Sequence, residues 1–401
     1  MSVTVNRHFL FFHIESMKVL KQGDIYAPEH LGRKDILIEG SRIARIADHI
    51  DEYDQIEEVE KVDLGGRILT PGYMDIHVHI TGGGGESGPA TRVPEASLSV
   101  LVRNGITTVV GLLGTDGITR SLENLLAKAR AFNEEGITCR ILTGAYGYPS
   151  PTITGSVERD IALIDLMVGV KIAMSDHRSS NLTGEQLISL AAQARRAGML
   201  SGCCGYVTIH MGSGKARLDP LFYAIDNSDV PVQKFLPTHM GRTRELFEQG
   251  LEFVKRGGTI DMTAGLTREE LEETADQILS YLKQDPEGLN MTMSSDAYGS
   301  APRFNEKMEC IGLTYASPKS LHEQLKVLVC ERGASLEKVL NLLTKNPARV
   351  LGLTGVKGTV AEGADADFVV YDDSMDILHV MAGGRKAVWD KEVIMKGTFE
   401  E

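Results

Sequence analysis

The chain has 401 residues, 42% of them hydrophobic and 24% charged, an ordinary globular composition and a length that suits one large barrel plus a smaller module. A formal net charge of −13 disfavours nonspecific binding to nucleic acid or to an anionic membrane surface, and no run approaches the ~20 apolar residues of a membrane span. The five cysteines, Cys139, Cys203, Cys204, Cys310 and Cys330, are an odd set without a CxxC pair and read as reduced thiols of a cytoplasmic protein rather than a disulfide frame.

In chain order, the first feature is the apolar patch Phe9-Leu10-Phe11-Phe12. It lacks the long apolar region and small-residue cleavage site of a signal peptide and reads either as an extra edge strand or as a dangling extension. Residues 16–70 then carry short alternating strands with turn signals, as in Asp35-Ile-Leu-Ile-Glu39 and Arg42-Ile-Ala-Arg-Ile46. The same texture returns near the other end, in Gly363–Tyr371 and at Ile394-Met395. Residues 1–70 and 354–401 are therefore expected to build one small β-sandwich domain from both termini.

Between them, residues 71–353 alternate strand-like and helix-like segments, the mark of repeated βα units. Strands are expected at 73–80, 106–113, 138–145, 168–173, 206–211, 234–239, 258–263 and 289–295, with helices such as 120–134, 183–197, 242–256 and 268–283. Eight parallel strands with intervening helices predict an α/β fold, a (β/α)8 TIM-like barrel, whose reactive groups belong at the carboxyl ends of the strands.

The run Pro71-Gly-Tyr-Met-Asp-Ile-His-Val-His79 is the first to carry chemistry. Side chains two apart on a strand share a face, so His77 and His79 project together and form half of a transition-metal site. Two ordinary, partly buried histidines would give the same spacing. Further metal-competent groups recur at strand ends, however: Lys171 in the fourth, His210 ending the fifth, His239 ending the sixth and Asp296 after the eighth.

Lys171 lies in the apolar run Met167–Met174. Burial there penalises an ammonium and exposes a neutral amine that can add carbon dioxide. The resulting carbamate can bridge two cations; the alternative is a lysine paired with a barrel carboxylate. By count, His77, His79 and Asp296 can hold one metal and His210 and His239 a second, with carbamylated Lys171 and a hydroxide between. A nitrogen and oxygen ligand set without thiolates suits two Zn2+, though manganese, cobalt or nickel would also fit. Metal binding would lower the pKa of the bridging water toward ~7, with Asp296 as its proton shuttle. The other seven histidines read as surface or packing residues, with His177, beside the fourth strand end, the exception worth following. Adjacent Cys203 and Cys204 would face opposite ways on a strand and read as packing.

The Pro-Gly turn, the His-x-His, the strand lysine, Asn346-Pro-Ala-Arg-Val-Leu-Gly352 and Gly363-Ala-Asp-Ala-Asp367 together resemble the amidohydrolase superfamily over nearly the whole chain. Within it, Gly82-Gly-Gly-Gly-Glu86, Gly111–Asp116, Leu142–Tyr146, Ser175-Asp-His-Arg-Ser179, Leu236–His239, Gly257–Asp261 and Ser294-Ser-Asp296 resemble the isoaspartyl dipeptidases, zinc-dependent enzymes that cleave β-aspartyl dipeptides. That resemblance implies Glu86 for the substrate's α-ammonium, with help from the backbone near Gly84 and from Thr115. It further implies Arg178 and Arg242 for carboxylates with Ser300 assisting, Tyr146 (with Tyr148 as a rival) to polarise the scissile carbonyl, and a homo-oligomer such as an octamer. One glutamate and two arginines match the single ammonium and two carboxylates of a β-Asp-X dipeptide. Each of the three has a plainer alternative, a solvated loop charge for Glu86 and structural ion pairs for the arginines. Bulky Tyr298, the Tyr146-Gly-Tyr148 loop and the amino-terminal extension depart from the family pattern, and Tyr298 is expected to narrow the space for the leaving residue. A cyclic-amide hydrolase of the hydantoinase or dihydroorotase kind would share the metal set but give Glu86 no purpose. A catalytically silent scaffold would show eroded ligands, whereas all six positions are filled.

Overall fold

The computed structural model describes residues 17–304 and 310–400; the Phe9–Phe12 patch lies outside them. Eight short parallel strands form the framework of the barrel, each within a few residues of its expected span: Tyr73–Val78, Ile106–Gly111, Thr138–Gly144, Met167–Met174, Tyr206–Met211, Phe235–Thr238, Ile260–Thr263 and Met291–Ser294. They are numbered first to eighth below.

The first six make a continuous parallel sheet in chain order, and the seventh and eighth pair with each other. The ring closes through single backbone contacts. Met240 N–H donates to Asp261 O at 3.2 Å between the sixth and seventh strands, and His79 N–H donates to Ala297 O at 2.9 Å between the eighth and the first. The result is a distorted (β/α)8 barrel. Its strands are buried almost throughout, which parallel strands covered by helices require and which explains their near-continuous apolar runs.

Side-chain caps fix where several helices begin. Thr183 and Gln186 form a reciprocal capping box on the helix Gly184–Ser201, and Thr267 and Glu270 do the same for Arg268–Gln284. Ser121 and Thr243 accept from the first turns of Leu122–Glu135 and Arg244–Lys255. Each helix buries an apolar stripe, such as Leu187, Leu190, Ala191 and Ala194 on Gly184–Ser201, against the strands.

A nine-stranded sheet stands beside the barrel as the β-sandwich and draws strands from both ends of the chain. The carboxyl-terminal strand Phe368–Tyr371 pairs antiparallel with Ile68–Pro71, with Val369 opposite Thr70. Ile68–Pro71 leads through Gly72 directly into the first barrel strand, so this sheet anchors the strand that carries His77. Its interior is a separate apolar cluster that includes Leu20, Ile25, Ile36, Leu69 and Phe368. The last strand is Glu392–Val393; Ile394 and Met395, expected as strand, follow it as irregular chain, with both backbone N–H groups donating to Ala387 O.

Candidate metal centre and active site

The six expected ligands converge at the carboxyl end of the barrel. His77 lies within the first strand and His79 just past it; Lys171 and His210 lie within the fourth and fifth; His239 directly follows the sixth and Asp296 comes two residues after the eighth. The four histidines and Lys171 are buried. His239 and Asp296 have left-handed backbones, φ 64° and 53°, and so does Ser175, after the fourth strand, at φ 52°. Non-glycine residues rarely adopt this region, and they tend to do so where a site demands a particular side-chain direction.

Ligand atoms of His77, His239 and Asp296 all lie within 4.8 Å of one another. His79 Nε2 is 3.1 Å from Asp296 Oδ1, and Lys171 Nζ is 2.9 Å from His77 Nε2. His77 Nδ1, His79 Nδ1 and His239 Nε2 are buried without a hydrogen-bond partner, a costly state for polar atoms unless something else satisfies them. Burial holds the rings of His77, His210 and His239 well below the ordinary histidine pKa, and so neutral, the form that ligates metal. Burial likewise lowers the Lys171 amine to about 7, against the opposing pull of Asp296. Neutral nitrogens, orphaned buried ring atoms and a carboxylate form a donor set that fits a metal.

His210 is arranged differently. Its Nε2 is 3.1 Å from Asp176 Oδ2 and its Nδ1 is 2.6 Å from the Tyr146 hydroxyl. Asp176 also receives a two-pronged contact from Arg178, with Nε 2.9 Å from Oδ1 and Nη2 3.0 Å from Oδ2. Burial pushes the Asp176 carboxyl up, but the hydrogen bonds from His210 and Arg178 outweigh it and hold the group far below the usual carboxylate range.

Above the buried histidines lies a pocket whose lining includes Glu86, Thr115, Tyr146, Arg178, Arg242 and Ser300, with Gly84 beside them. Glu86 Oε1 accepts from Ser300 Oγ at 3.0 Å and Thr115 Oγ1 at 3.1 Å, and Arg178 Nη1 stands 3.4 Å away. Arg242 Nη1 is 3.9 Å from Asp176 Oδ2. Every residue expected at the site is therefore in or directly beneath one pocket. Tyr298 is not: its ring stacks on Tyr315 and its hydroxyl accepts from Ser97 N–H at 3.3 Å, so it does not narrow the pocket as its bulk suggested. The His177 side chain is 86% exposed, with Nδ1 3.5 Å from Asp176 Oδ1, and does not line the pocket, while Tyr148 packs against the apolar core rather than lining the pocket.

The model of the amidohydrolase family matches residues 68–399 of this sequence. The chain belongs to the amidohydrolase family. Among solved structures it is similar to the β-aspartyl dipeptidase of Fervidobacterium islandicum AW-1 in complex with a β-Asp-Leu dipeptide. The two are 43% identical with a TM-score of 0.87, over 94% of this chain and 98% of that one. The dihydropyrimidinase of Brevibacillus agri NCHU1002 shares the fold at 17% identity and a TM-score of 0.65, over 95% of this chain and 96% of that one. Among curated sequences, the dihydroorotase of Staphylococcus aureus (strain Mu50) is 30% identical over 118 residues, which is 29% of this chain and 26% of the relative's length.

Three polar residues of this amidohydrolase site went unassigned in the sequence. Asp176 lies in the Ser175–Ser179 motif but is silent until the fold sets it against His210 and Arg178. Asp75, two residues before His77, accepts from the Ser295 and His77 N–H groups and from the Ser295 hydroxyl, and burial raises it to about 7. It thereby ties the turn before Asp296 to the first strand. Asp261 accepts from the hydroxyls of Thr238, Thr292 and Ser294 and joins the sixth, seventh and eighth strands. Asp75 lies in the Pro71–His79 run and Asp261 closes the Gly257–Asp261 stretch, but neither stretch carries a local signal of these partners.

Proposed function

We propose that this amidohydrolase is a β-aspartyl (isoaspartyl) dipeptidase that hydrolyses the isopeptide bond of β-Asp-X dipeptides. The observation that carries the reading is the charge arrangement of the pocket, in which Glu86, Arg178 and Arg242 surround the mouth above the buried histidines. A β-Asp-X dipeptide offers one ammonium and two carboxylates, the complement of that set, and guanidinium forks suit carboxylates. The similarity to a β-aspartyl dipeptidase with bound β-Asp-Leu supports the same substrate class.

In this reading Glu86 accepts from the α-ammonium, with Thr115 and the backbone at Gly84 beside it. Arg178 and Arg242, assisted by Ser300, hold the carboxylates. Tyr146 donates its hydroxyl to the scissile carbonyl oxygen and to the oxyanion that develops there; burial raises the phenol's pKa and keeps the proton available. Asp296 takes a proton from the attacking water and delivers it to the leaving nitrogen.

His77, His79 and Asp296 would hold one zinc ion, His210 and His239 a second, and Lys171, carboxylated on its side-chain nitrogen, would stand between them. Bound there, the metals supply a nucleophile near neutral pH and an electrophile for the carbonyl. The enzyme would work in the cytoplasm as a homo-oligomer such as an octamer, its chain divided into the barrel, 71–353, and a small β-domain from 1–70 and 354–401.

The test is aspartate release by zinc-supplemented protein from β-Asp-Leu, with α-Asp-Leu and a cyclic amide such as hydantoin alongside. Cleavage of the β-linked peptide alone is expected, and Glu86→Gln should lower its kcat/KM by about 100-fold, the scale of losing a charged partner in a desolvated contact. Cleavage of the cyclic amide that tolerates Glu86→Gln would sink the dipeptidase reading and leave a cyclic amidase.

A further inference from the structure

We infer that Arg120 is a positioning residue for the ammonium clamp: its guanidinium locks the loop that carries Glu86 to the loop that carries Thr115. What the clamp holds rests on the dipeptidase reading; the lock itself does not.

Arg120 is 7% exposed and, among the described residues, makes no ion pair with a carboxylate. It donates to three backbone carbonyls instead: Thr81 O through Nη1, and Val93 O at 2.6 Å and Gly83 O at 3.3 Å through Nη2. A buried cation whose hydrogen bonds go to neutral acceptors, and whose Nε has none, is expensive, so its placement calls for a reason.

The acceptors supply one. Residues 81–85 double back against 91–93, with Val93 N–H donating to Gly83 O at 2.9 Å and Gly85 N–H to Thr91 O at 3.1 Å. The approach is close enough to demand glycine. A Cβ on Gly82 would stand 2.1 Å from Val93 O and one on Gly84 2.3 Å from Thr91 O, and both residues have φ near the left-handed region, at 77° and 78°. This tight fold turns the carbonyls of Thr81, Gly83 and Val93 toward one point, where their negative ends repel one another unless a donor stands between them. Arg120 is that donor. On its other side the same loop is held by Gly83 N–H donating to Tyr298 O at 2.9 Å, beside Asp296.

Arg120 belongs to the loop after the second strand. The turn before it is set by Asp116 Oδ1, which accepts from Ile118 N–H at 3.1 Å and Thr119 N–H at 2.7 Å. Thr115, at the start of that turn, meets Glu86 across the gap at 3.1 Å. The Glu86 carboxylate is thus aimed by two loops that Arg120 rivets together, and it loses its aim if they drift apart. Lysine cannot replace the rivet, because one ammonium lacks the planar fork that spans separated acceptors.

The experiment compares metal-loaded wild type with Arg120→Lys and Arg120→Met. On β-Asp-Leu both variants should raise KM by about tenfold or more with kcat within about twofold, the pattern of lost substrate positioning rather than lost chemistry. The double variant Glu86→Gln/Arg120→Lys should be little worse than Glu86→Gln alone, because the arginine acts through the glutamate. A loss confined to kcat, or fully additive losses, would overturn the proposal. Hydrogen exchange gives a readout independent of substrate: in Arg120→Lys the amides of 82–93 should exchange at least about tenfold faster while the barrel strands are unchanged. Unchanged protection there overturns the lock whatever the enzyme cleaves. Failure of the wild type to cleave β-Asp-Leu, with 82–93 deprotected in the variant, overturns the substrate reading alone.

Discussion

Asp176 serves two parts of the site at once. Its carboxylate receives the Arg178 fork and faces His210 Nε2, which leaves His210 Nδ1, now against Tyr146, as the ring nitrogen available to a metal. Asp176→Asn keeps the shape but removes the charge that orients both partners. Its kcat/KM on β-Asp-Leu is expected to fall by about 10- to 100-fold, with less zinc retained per chain, the usual scale for the loss of a group that orients a metal ligand. Unchanged kinetics and zinc content would exclude that role. Lys171 makes a different prediction. Burial lowers its pKa to about 7, so between about pH 7 and about pH 10 the unfolded chain binds more protons than the folded one. The cost of burying the charge is full below that window and gone above it, so metal-free protein should gain stability as pH rises. Urea midpoints of metal-free wild type should climb across the window relative to Lys171→Met; parallel curves would show that the amine titrates normally.

The elements were legible to different degrees. The barrel strands stood out because parallel strands covered on both faces need unbroken apolar runs, and the long helices because their apolar stripes follow capping residues. Thr183 illustrates the second case: its hydroxyl and the Gln186 side chain close the amino end of Gly184–Ser201. Thr183 is exposed, so Thr183→Ala should cost about 1 kcal/mol in chemical denaturation and leave kinetics unchanged. A change in KM would mean that this helix end reaches the pocket. Short helices such as Leu98–Arg103, Val157–Leu163 and Asp219–Asp226 were not anticipated, because one or two turns give too little periodicity to read. The loop directions were hidden as well. Tyr298 looked like an obstruction in the sequence, but its left-handed backbone at φ 61° accompanies a ring packed on Tyr315.

At the scale of the whole molecule, the candidate ligands from five separate strand ends meet at one end of the barrel, so metal binding there should stabilise the entire barrel. Removing metal with a chelator is expected to abolish activity and lower Tm by several degrees, and added zinc should restore both, as ligand linkage requires. A Tm indifferent to the chelator would count against a shared centre. The nine-stranded sheet adds a long-range constraint, since Phe368–Tyr371 holds Ile68–Pro71 next to the strand that bears His77.

The sequence by itself determined the kinds of element, their order and the candidate ligands, because periodicity, caps and the His-x-His spacing are local and survive in one dimension. It also presented the family's loops, from Gly82–Glu86 to Ser294–Asp296, as recognisable strings. Only the tertiary structure decided which charges neighbour one another. The Asp176 contact with His210 spans 34 positions and the Glu86 contact with Ser300 spans 214. Arg120 reaches back 39 positions to Thr81, and no local pattern specifies that a buried guanidinium will meet three carbonyls instead of a carboxylate. Such pairings follow from barrel closure, which brings loops together according to strand order in space rather than distance along the chain.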